Sequence, residues 1–583
     1  MRVAAVIQAR MGSSRLPGKV LLPLAGQPVL WHVVHRLRKC RTVDVVAIAT
    51  STGAGDDAIA EFARREGVPC VRGPEDDVLA RYVLAADQLG ADVVVRVTGD
   101  APLIDPATID QLIETMLARG ADYATIDPSL PSIHEGFDPV TTRALRLLAA
   151  HAGSDPAARE HVTAYLKQHP DFVPIALVPA EPACQYAGAR LSLDTPADRR
   201  FLEEVYRRLG VPAGEADVRD VARLLRADPS VAAINAHVTQ KRAGEANRSV
   251  LIRCDGDERV GLGHVSRCLA IAEELRDTLG WGVTFALATG DPGSLAIARA
   301  GFPVERLADD GEELWLDSVI ARRRPDAMVL DVRTALDRAA VERWRHGGVV
   351  TAIIDDTSDR RLAADLAFFP PVPQMRRLDW TGFTGRLRAG WEWVPLRRAF
   401  ADRPRAGVPA RPTVLVTMGG SDPAGLTSRS LAALQRVTGD LDLAVVLGGG
   451  FRDGGLAQRA AGSRHHVTLH RDAADMATLM DRATVALASL GVTAYELAAC
   501  GVPAVLLSLT DDHAESASAF HEAGIAVSLG VHARVTDEAI AGAVAALLAD
   551  DTRRTAMSRR ARSLIDGRGA ARIAAEIAAA VHA

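Results

Sequence analysis

The sequence predicts an α/β protein built as three successive parallel-sheet domains, and three observations carry that reading. Short runs rich in Val and Ile alternate with amphipathic stretches from the first residue onward. Val3 to Ile7, Val43 to Ala49 and Asp92 to Val97 are strand-like, while Val29 to Arg38 and Ala58 to Glu66 are helical. The rhythm pauses over the polar stretch Thr239 to Asn247 and restarts at Ser249 with VLIRC. It restarts again at Thr413 to Met418, after the Arg- and Pro-rich stretch Arg403 to Pro412. The expected organisation is a first domain over 1–238, a linker over 239–248, and two lobes over 249–410 and 411–583.

Composition sets the frame. At 583 residues the chain exceeds one ordinary core. A net charge of -5, with Lys and Arg spread among Asp and Glu, argues against a nucleic-acid partner. The six cysteines are scattered with no CxxC pair, so neither zinc nor a disulfide framework is expected, and a reducing, cytoplasmic setting fits. The opening apolar run is cut short by Arg10, unlike a signal peptide. The apolar region Val485 to Leu509 is broken by Gly491, Glu496, Gly501 and Pro503, so no membrane insertion is expected. Self-association is compatible with the sequence.

The segment Gln8 to Lys19, QARMGSSRLPGK, follows the first strand directly. Gly12 and Ser13 belong to a turn that leaves backbone N–H groups for phosphate oxygens, and Arg10, Arg15 and Lys19 add positive charge. The bland alternative is a solvated basic loop. The segment TGDAPLI places Asp100 after the strand DVVVRV, and LSLDTPAD places Asp194 after another strand, with Asp198 as a helix-side acid or cap. Carboxylates at strand ends suit Mg²⁺ ligands that neutralise a triphosphate. An Asp that merely caps a turn is the competing reading for each.

QARMGSSRLPGK, TGDAPLI and LDTPAD together resemble the cytidylyltransferase family that includes CMP-sialic acid and CMP-Kdo synthetases, in its spore-coat polysaccharide branch. The resemblance covers about residues 1–240 and implies a Rossmann-like, GT-A-like nucleotidyltransferase domain. It implies Arg10 and Lys19 on the phosphates, beside Gly12, Ser13 and Arg15, with Asp100 and Asp194 on Mg²⁺. It also implies CTP and a sugar acid as substrates. The segments HEGFDPV and REHVTAYL resemble the same branch and are expected to shape the acceptor pocket. His161 is either a substrate contact or a packed histidine.

In the second half, RVGLGHVSR leads from a strand into the helical pattern CLAIAEEL, which puts His264 near a helix N-terminus. The positive end of that helix favours a neutral imidazole able to accept a proton. The second lobe opens VLVTMGGSDP, where Gly419, Gly420 and Ser421 form a candidate diphosphate cradle. In SLGVTAYE, Gly491 and Thr493 are expected to face phosphate and Glu496 to accept from ribose hydroxyls; a first-turn acid is the plain alternative.

RVGLGHVSR, GGSD, GVTAYE and WVPLRRAF together resemble the UDP-sugar hydrolase of pseudaminic acid biosynthesis, over about 249–583. That resemblance implies a two-lobed GT-B-like module, a UDP-sugar ligand, His264 as general base, no metal in this half, and Arg397 near the inter-lobe cleft or in a structural ion pair. The chain departs from the hydrolase at Arg333, where a Tyr is usual, and at Asp512 and His513, where Asn-Gln is usual. It departs again at Phe368 and Phe369, where polar residues are usual. The combined expectation is a bifunctional enzyme of nonulosonic acid (pseudaminic or legionaminic type) biosynthesis. Pathway logic adds a separate condensing synthase as partner. The rivals are another sugar acid or a phosphonate as acceptor in the first half, and a glycosyltransferase or a non-catalytic nucleotide-sugar binding module in the second.

Overall fold

The computed structural model describes residues 1–583 apart from 154, 241–245, 258–260, 289–290, 308–310, 402, 404–410, 421, 453, 474 and 583. Among the candidates above, Ser421 lies outside the described residues, as does Arg259 of RVGLGHVSR. The chain forms two compact units, Met1–Asn247 with Arg276–Gly282, and Arg248–Leu275 with Val283–Ala583. Among the described residues no helix is long and apolar enough to cross a membrane.

In the first unit the strands β1 (Val3–Gln8), β2 (Val45–Ser51), β3 (Cys70–Gly73), β4 (Val93–Thr98), β5 (Tyr123–Ile126), β6 (Phe137–Thr141) and β7 (Ile175–Val178) make one sheet. Their order is β3-β2-β1-β4-β6-β5-β7. β1 pairs in parallel with β2 and with β4, and β6 runs antiparallel to β4. β1 is buried along almost its whole length, which explains its unbroken apolar sequence: a central parallel strand is covered on both faces. Alternation then sorts β4. Val93, Val95 and Val97 join the core that holds Ile7 and Leu30, while Val94 joins the opposite core with Tyr82 and Val140. Ile7 is fully buried, and truncating such a side chain costs about 2–5 kcal/mol.

The second unit holds two sheets. β8 (Ser249–Cys254), β9 (Gly282–Leu287), β10 (Val304–Arg306), β11 (Ala327–Asp331), β12 (Val350–Ile354), β13 (Leu366–Phe369) and β14 (Arg386–Ala389) lie in the order β10-β9-β8-β11-β12-β13-β14. β15 (Thr413–Thr417), β16 (Asp442–Leu447), β17 (His466–Arg471), β18 (Val485–Ser489), β19 (Ala504–Ser508) and β20 (Ala526–Val531) lie in the order β17-β16-β15-β18-β19-β20. β8 pairs with β11, and β15 with β16 and β18, all in parallel. This is the pair of doubly wound lobes expected of a GT-B-like module. The last helix, Gly569–Val581, returns to the first lobe, where Glu576 takes ion pairs from Arg386 (3.4 Å) and Arg388 (2.9 Å).

Each sheet starts in its middle and grows outward in both directions, so each has one point where the strand order reverses: β1/β4, β8/β11 and β15/β18. Crevices beyond the C-terminal strand ends at such points are where open α/β sheets bind ligands. The loops after β1, β4, β8 and β18 leave the sheets at these places, whereas Asp194, expected at a strand end, follows no strand: its segment is irregular and is tied to the loop after β4 by the Leu193 N–H donating to the Asp100 carbonyl at 2.8 Å.

Candidate active sites

In the first unit a cavity of about 530 Å³ opens beyond β1 and β4. Arg10, Ser13, Arg15, Lys19, Asp100, His161 and Asp194 all line it. Residues far apart in the sequence thus converge on one wall. The Lys19 ammonium bridges the two acids, lying 2.6 Å from Asp194 Oδ1 and donating also to Asp100 Oδ2. Burial works against the charged ammonium, yet Asp100 and Asp194 hold its pKa above the ordinary 10.5. Asp194 faces three cations: Lys19, Arg15 at 2.9 Å, and Arg190. Burial would raise its pKa, but these cations hold it far below the usual carboxylate range.

Of the expected nucleotide contacts, Arg15 lines the cavity with its charge already paired and Gly12 does not line it. Arg15 is buried, its guanidinium spent on Asp194 and on the Thr239 carbonyl at 3.1 Å, so it steadies the acid. Gly12 is exposed and off the cavity wall, and a Cβ there would meet nothing nearer than Glu75 Oε1 at 3.9 Å. The positive-φ glycine of this loop is Gly18, at +71°. Arg10 pairs loosely with Glu160 at 3.6 Å, both side chains being half-exposed.

Asp198 resolves as a cap. Thr195 and Asp198 form a capping box on the helix Pro196–Leu209, whose first residue is a proline. The Asp198 carboxylate also accepts from the Asp194 N–H at 2.9 Å and from Asn235 Nδ2 at 3.0 Å. Arg81 and Arg96 line the cavity without having been singled out from sequence, whereas Glu135 belongs to HEGFDPV and Ser192 to LSLDTPAD. A lone arginine inside the valine run DVVVRV was the one available signal for Arg96. Glu135 accepts the Leu191 and Ser192 N–H groups, at 3.3 and 3.0 Å, and burial pushes its pKa up.

Among the described residues no group of three or more His, Cys, Asp or Glu gathers into a metal cage. The donor set nevertheless fits Mg²⁺ bound with a triphosphate, because such a site needs only one or two carboxylates and fills its octahedron with phosphate and water. Asp100 and Asp194 already converge on a single cation, Lys19.

In the second unit a cavity of about 540 Å³ is lined by His264, Arg267, Arg333, Asp355, Gly491, Asp512 and His513, among others. His264 sits in the first turn of the helix Gly263–Glu273, and its Nδ1 lies 2.6 Å from Asp331 Oδ1 at the end of β11. The residue pair therefore spans the β8/β11 switch point. Asp331 is fully buried; burial would raise its pKa, but Arg267 above all, with His264, holds it far below the usual range. An Nδ1–H donated to that carboxylate leaves Nε2 as the basic nitrogen.

Arg333 pairs with Asp355 at 3.2 Å, and Arg267 reaches the same oxygen at 3.2 Å. Asp355 holds φ at +52°, a strained backbone for a non-glycine residue. Phe368 and Phe369 line the cavity and are buried, giving it an apolar wall near Trp393, 5.7 Å from Phe368 between ring centroids. Gln374 Nε2 donates to the Asp512 carbonyl at 2.9 Å and to Ser516 Oγ at 2.8 Å, across the two lobes.

Gly491 thus joins His264 on one wall, whereas Gly419, Gly420, Thr493, Glu496 and Arg397 lie off it. Arg397 and Glu496 form an ion pair at 3.3 Å; burial raises the Glu496 pKa and Arg397 opposes it. The Gly419–Gly420 turn, with φ +83° at Gly419, packs against Gly448 so closely that a Cβ on Gly448 would fall on the Gly420 carbonyl.

A cytidylyltransferase family model matches residues 4–217. The spore coat polysaccharide biosynthesis protein SpsF of Bacillus subtilis (strain 168) is 31% identical over 231 residues, 39% of this chain and 95% of that protein. The chain belongs to the cytidylyltransferase family. Its first unit carries that membership, and Lys19, Asp100 and Asp194 of the first cavity all fall within the matched residues. A 3-deoxy-manno-octulosonate cytidylyltransferase of Anaeromyxobacter sp. (strain Fw109-5) is 45% identical over 129 residues, 21% of this chain and 50% of that enzyme. A crystal structure of Acinetobacter baumannii MurG covers 57% of this chain and 99% of its own, at 16% identity and a TM-score of 0.46.

Proposed function

We propose that the cytidylyltransferase unit couples CTP to a sugar acid of the nonulosonic type, releasing pyrophosphate. The observation that carries this reading is the Lys19 ammonium held between Asp100 and Asp194 in one cavity. A sugar hydroxyl attacks the α-phosphorus, a new P–O bond forms, and the bond to the β-phosphate oxygen breaks with pyrophosphate as leaving group. Arg10 and Lys19 offset the phosphate charge, and Arg15 and Arg190 keep Asp194 ionised and oriented. Asp100 and Asp194 would hold Mg²⁺, which supplies further charge neutralisation on the triphosphate. Most of the remaining barrier is a matter of alignment. The relative named for 3-deoxy-manno-octulosonate supports a sugar acid as acceptor, and the one named for spore coat polysaccharide supports a place in polysaccharide biosynthesis.

In the second unit, His264 accepts a proton from water as its oxygen attacks the anomeric carbon of a UDP-linked diacetamido-trideoxyhexose. The bond from that carbon to the phosphate oxygen breaks and UDP leaves with the electron pair. The His264–Asp331 pair supports this reading, and the apolar wall of Phe368, Phe369 and Trp393 suits deoxy and acetamido groups. The test is incubation of the full chain with Mg²⁺, each nucleoside triphosphate and a panel of sugar acids, following pyrophosphate, and separately with UDP-sugars, following free reducing sugar. Pyrophosphate is expected with CTP alone. Sugar transfer to an added hydroxyl compound in place of water would replace the hydrolase with a glycosyltransferase.

A further inference from the structure

The strand β4 carries one arginine whose charge no described residue answers. Arg96 is two residues short of the strand's end, and alternation puts it on the same face as Thr98, which also lines the cytidylyltransferase cavity. Its Nε is buried without a hydrogen-bond partner, and among the described residues no hydrogen bond or ion pair reaches its guanidinium. A buried, unanswered donor is costly, and native proteins keep such groups mainly for ligands.

The acids that could have neutralised Arg96 are engaged elsewhere. Asp138 is its direct cross-strand partner on β6. That carboxylate takes Lys167 at 3.0 Å, Thr125 at 3.0 Å and Thr163 at 3.1 Å. Glu135 accepts two backbone N–H groups, and Glu160 faces Arg10. Among the described residues no acid therefore pairs with Arg96, and the acids that share its cavities are held by other groups.

Its position also reaches beyond the cavity that the loop after β1 lines. Arg96, Glu135 and Gly136 line both the main cavity and a second one of about 260 Å³, to which no residue of that loop contributes. Gly136, at φ +83°, lets the 132–136 loop press on the end of β4, since a Cβ there would stand 2.6 Å from Thr98 Oγ1. The three cations of the loop after β1 line the main cavity and not the smaller one.

We propose that Arg96 receives the carboxylate of the acceptor sugar acid, with the smaller cavity taking the rest of the sugar. This rests on the reading of the first unit as a sugar-acid cytidylyltransferase. A planar guanidinium binds a carboxylate through two parallel hydrogen bonds, so it selects for the acid and orients the attacking hydroxyl.

The experiment uses the full chain, the sugar acid that gives the fastest pyrophosphate release, and its carboxamide. For the wild type, kcat/KM for the acid exceeds that for the amide by about 30-fold or more. Arg96→Gln raises the KM for the acid by a similar factor, removes the preference over the amide, and leaves the KM for CTP within about twofold. Arg96→Lys, which keeps the charge but loses the fork, falls between. The CTP constant also reports that the variant is folded. Equal turnover of acid and amide by the wild type, or a rise confined to the CTP constant, overturns the assignment while leaving the cytidylyltransferase reading intact. No pyrophosphate from the wild type with any sugar acid sinks both.

Discussion

His264 Nδ1 lies 2.6 Å from Asp331 Oδ1, joining the first turn of one helix to the end of a strand that is remote in sequence and adjacent in the sheet. Asp331 accepts, so it sets the tautomer and leaves Nε2 as the basic nitrogen that the proposed hydrolysis uses. Asp331→Asn can donate where the native residue accepts, which turns the ring to the wrong tautomer. Release of free sugar is expected to fall by roughly 10²–10⁴-fold in this variant and in His264→Ala. The double variant is expected to lose little more than either single one, because the two act as a unit. Pyrophosphate release by the first unit serves as the internal control and stays unchanged.

Asp100 and Asp194 share the Lys19 ammonium, yet their surroundings differ: Asp194 is ringed by Arg15 and Arg190 as well. Asp100→Ala removes an acid that, among the described residues, pairs with Lys19 alone, so the site survives with a surplus of positive charge. Pyrophosphate release with CTP is expected to drop by about 10³-fold or more, with the thermal midpoint little altered. Asp194→Ala takes the shared carboxylate from two buried arginines, leaving Arg15 only the Thr239 carbonyl and Arg190 the Asp198 carboxylate, and is expected to cost about 3–5 kcal/mol in stability besides activity. Calorimetry beside the kinetic assay separates the two outcomes.

Gly448 backs the Gly419–Gly420 turn at the β15/β18 switch point. Gly448→Ala pushes its methyl group into the Gly420 carbonyl, and the turn has to move. An overpacked site of this kind costs about 1–3 kcal/mol. If the turn cradles the diphosphate, affinity for UDP falls by about tenfold or more, read by titration calorimetry. Unaltered UDP affinity would remove Gly419 and Gly420 from the nucleotide site.

His134 is buried beside Phe137, with its Nε2 at 3.2 Å from Thr108 Oγ1. Burial holds its pKa below the ordinary 6.5, against the pull of Asp105. The unfolded chain therefore binds more protons than the folded one between the folded pKa and 6.5. Stability of the first unit is expected to rise with pH through that window and to level off above it. His32 and His161 are shifted in the same direction, also by burial, and add to the slope. In His134→Asn the slope of thermal midpoint against pH, followed from about pH 5 to about pH 7.5, becomes shallower.

Much of this architecture could be read along the chain because its cause is local. Unbroken Val and Ile runs mark strands covered on both faces, and glycine-rich loops straight after them mark the crevice, as at Gln8 to Lys19 and at Gly491. What could not be read depends on which strands become neighbours. Asp331 is legible as a strand-end acid, but only the β8/β11 pairing brings it to His264. Arg15 looks like a phosphate ligand beside Arg10, and only the fold shows its guanidinium turned onto Asp194. Glu496 and Arg397 each carry a plausible ligand role in isolation, and the fold joins them to each other.

The capping box at Thr195 and Asp198 has a consequence for how the enzyme fails. The same carboxylate that closes the end of the helix also grips the main chain of Asp194. Fraying of that first helical turn therefore frees the main chain of Asp194, the acid that the proposed CTP chemistry uses. On warming, turnover will die while the sheet is still intact, and the gap between inactivation and melting will measure the tightness of that one turn.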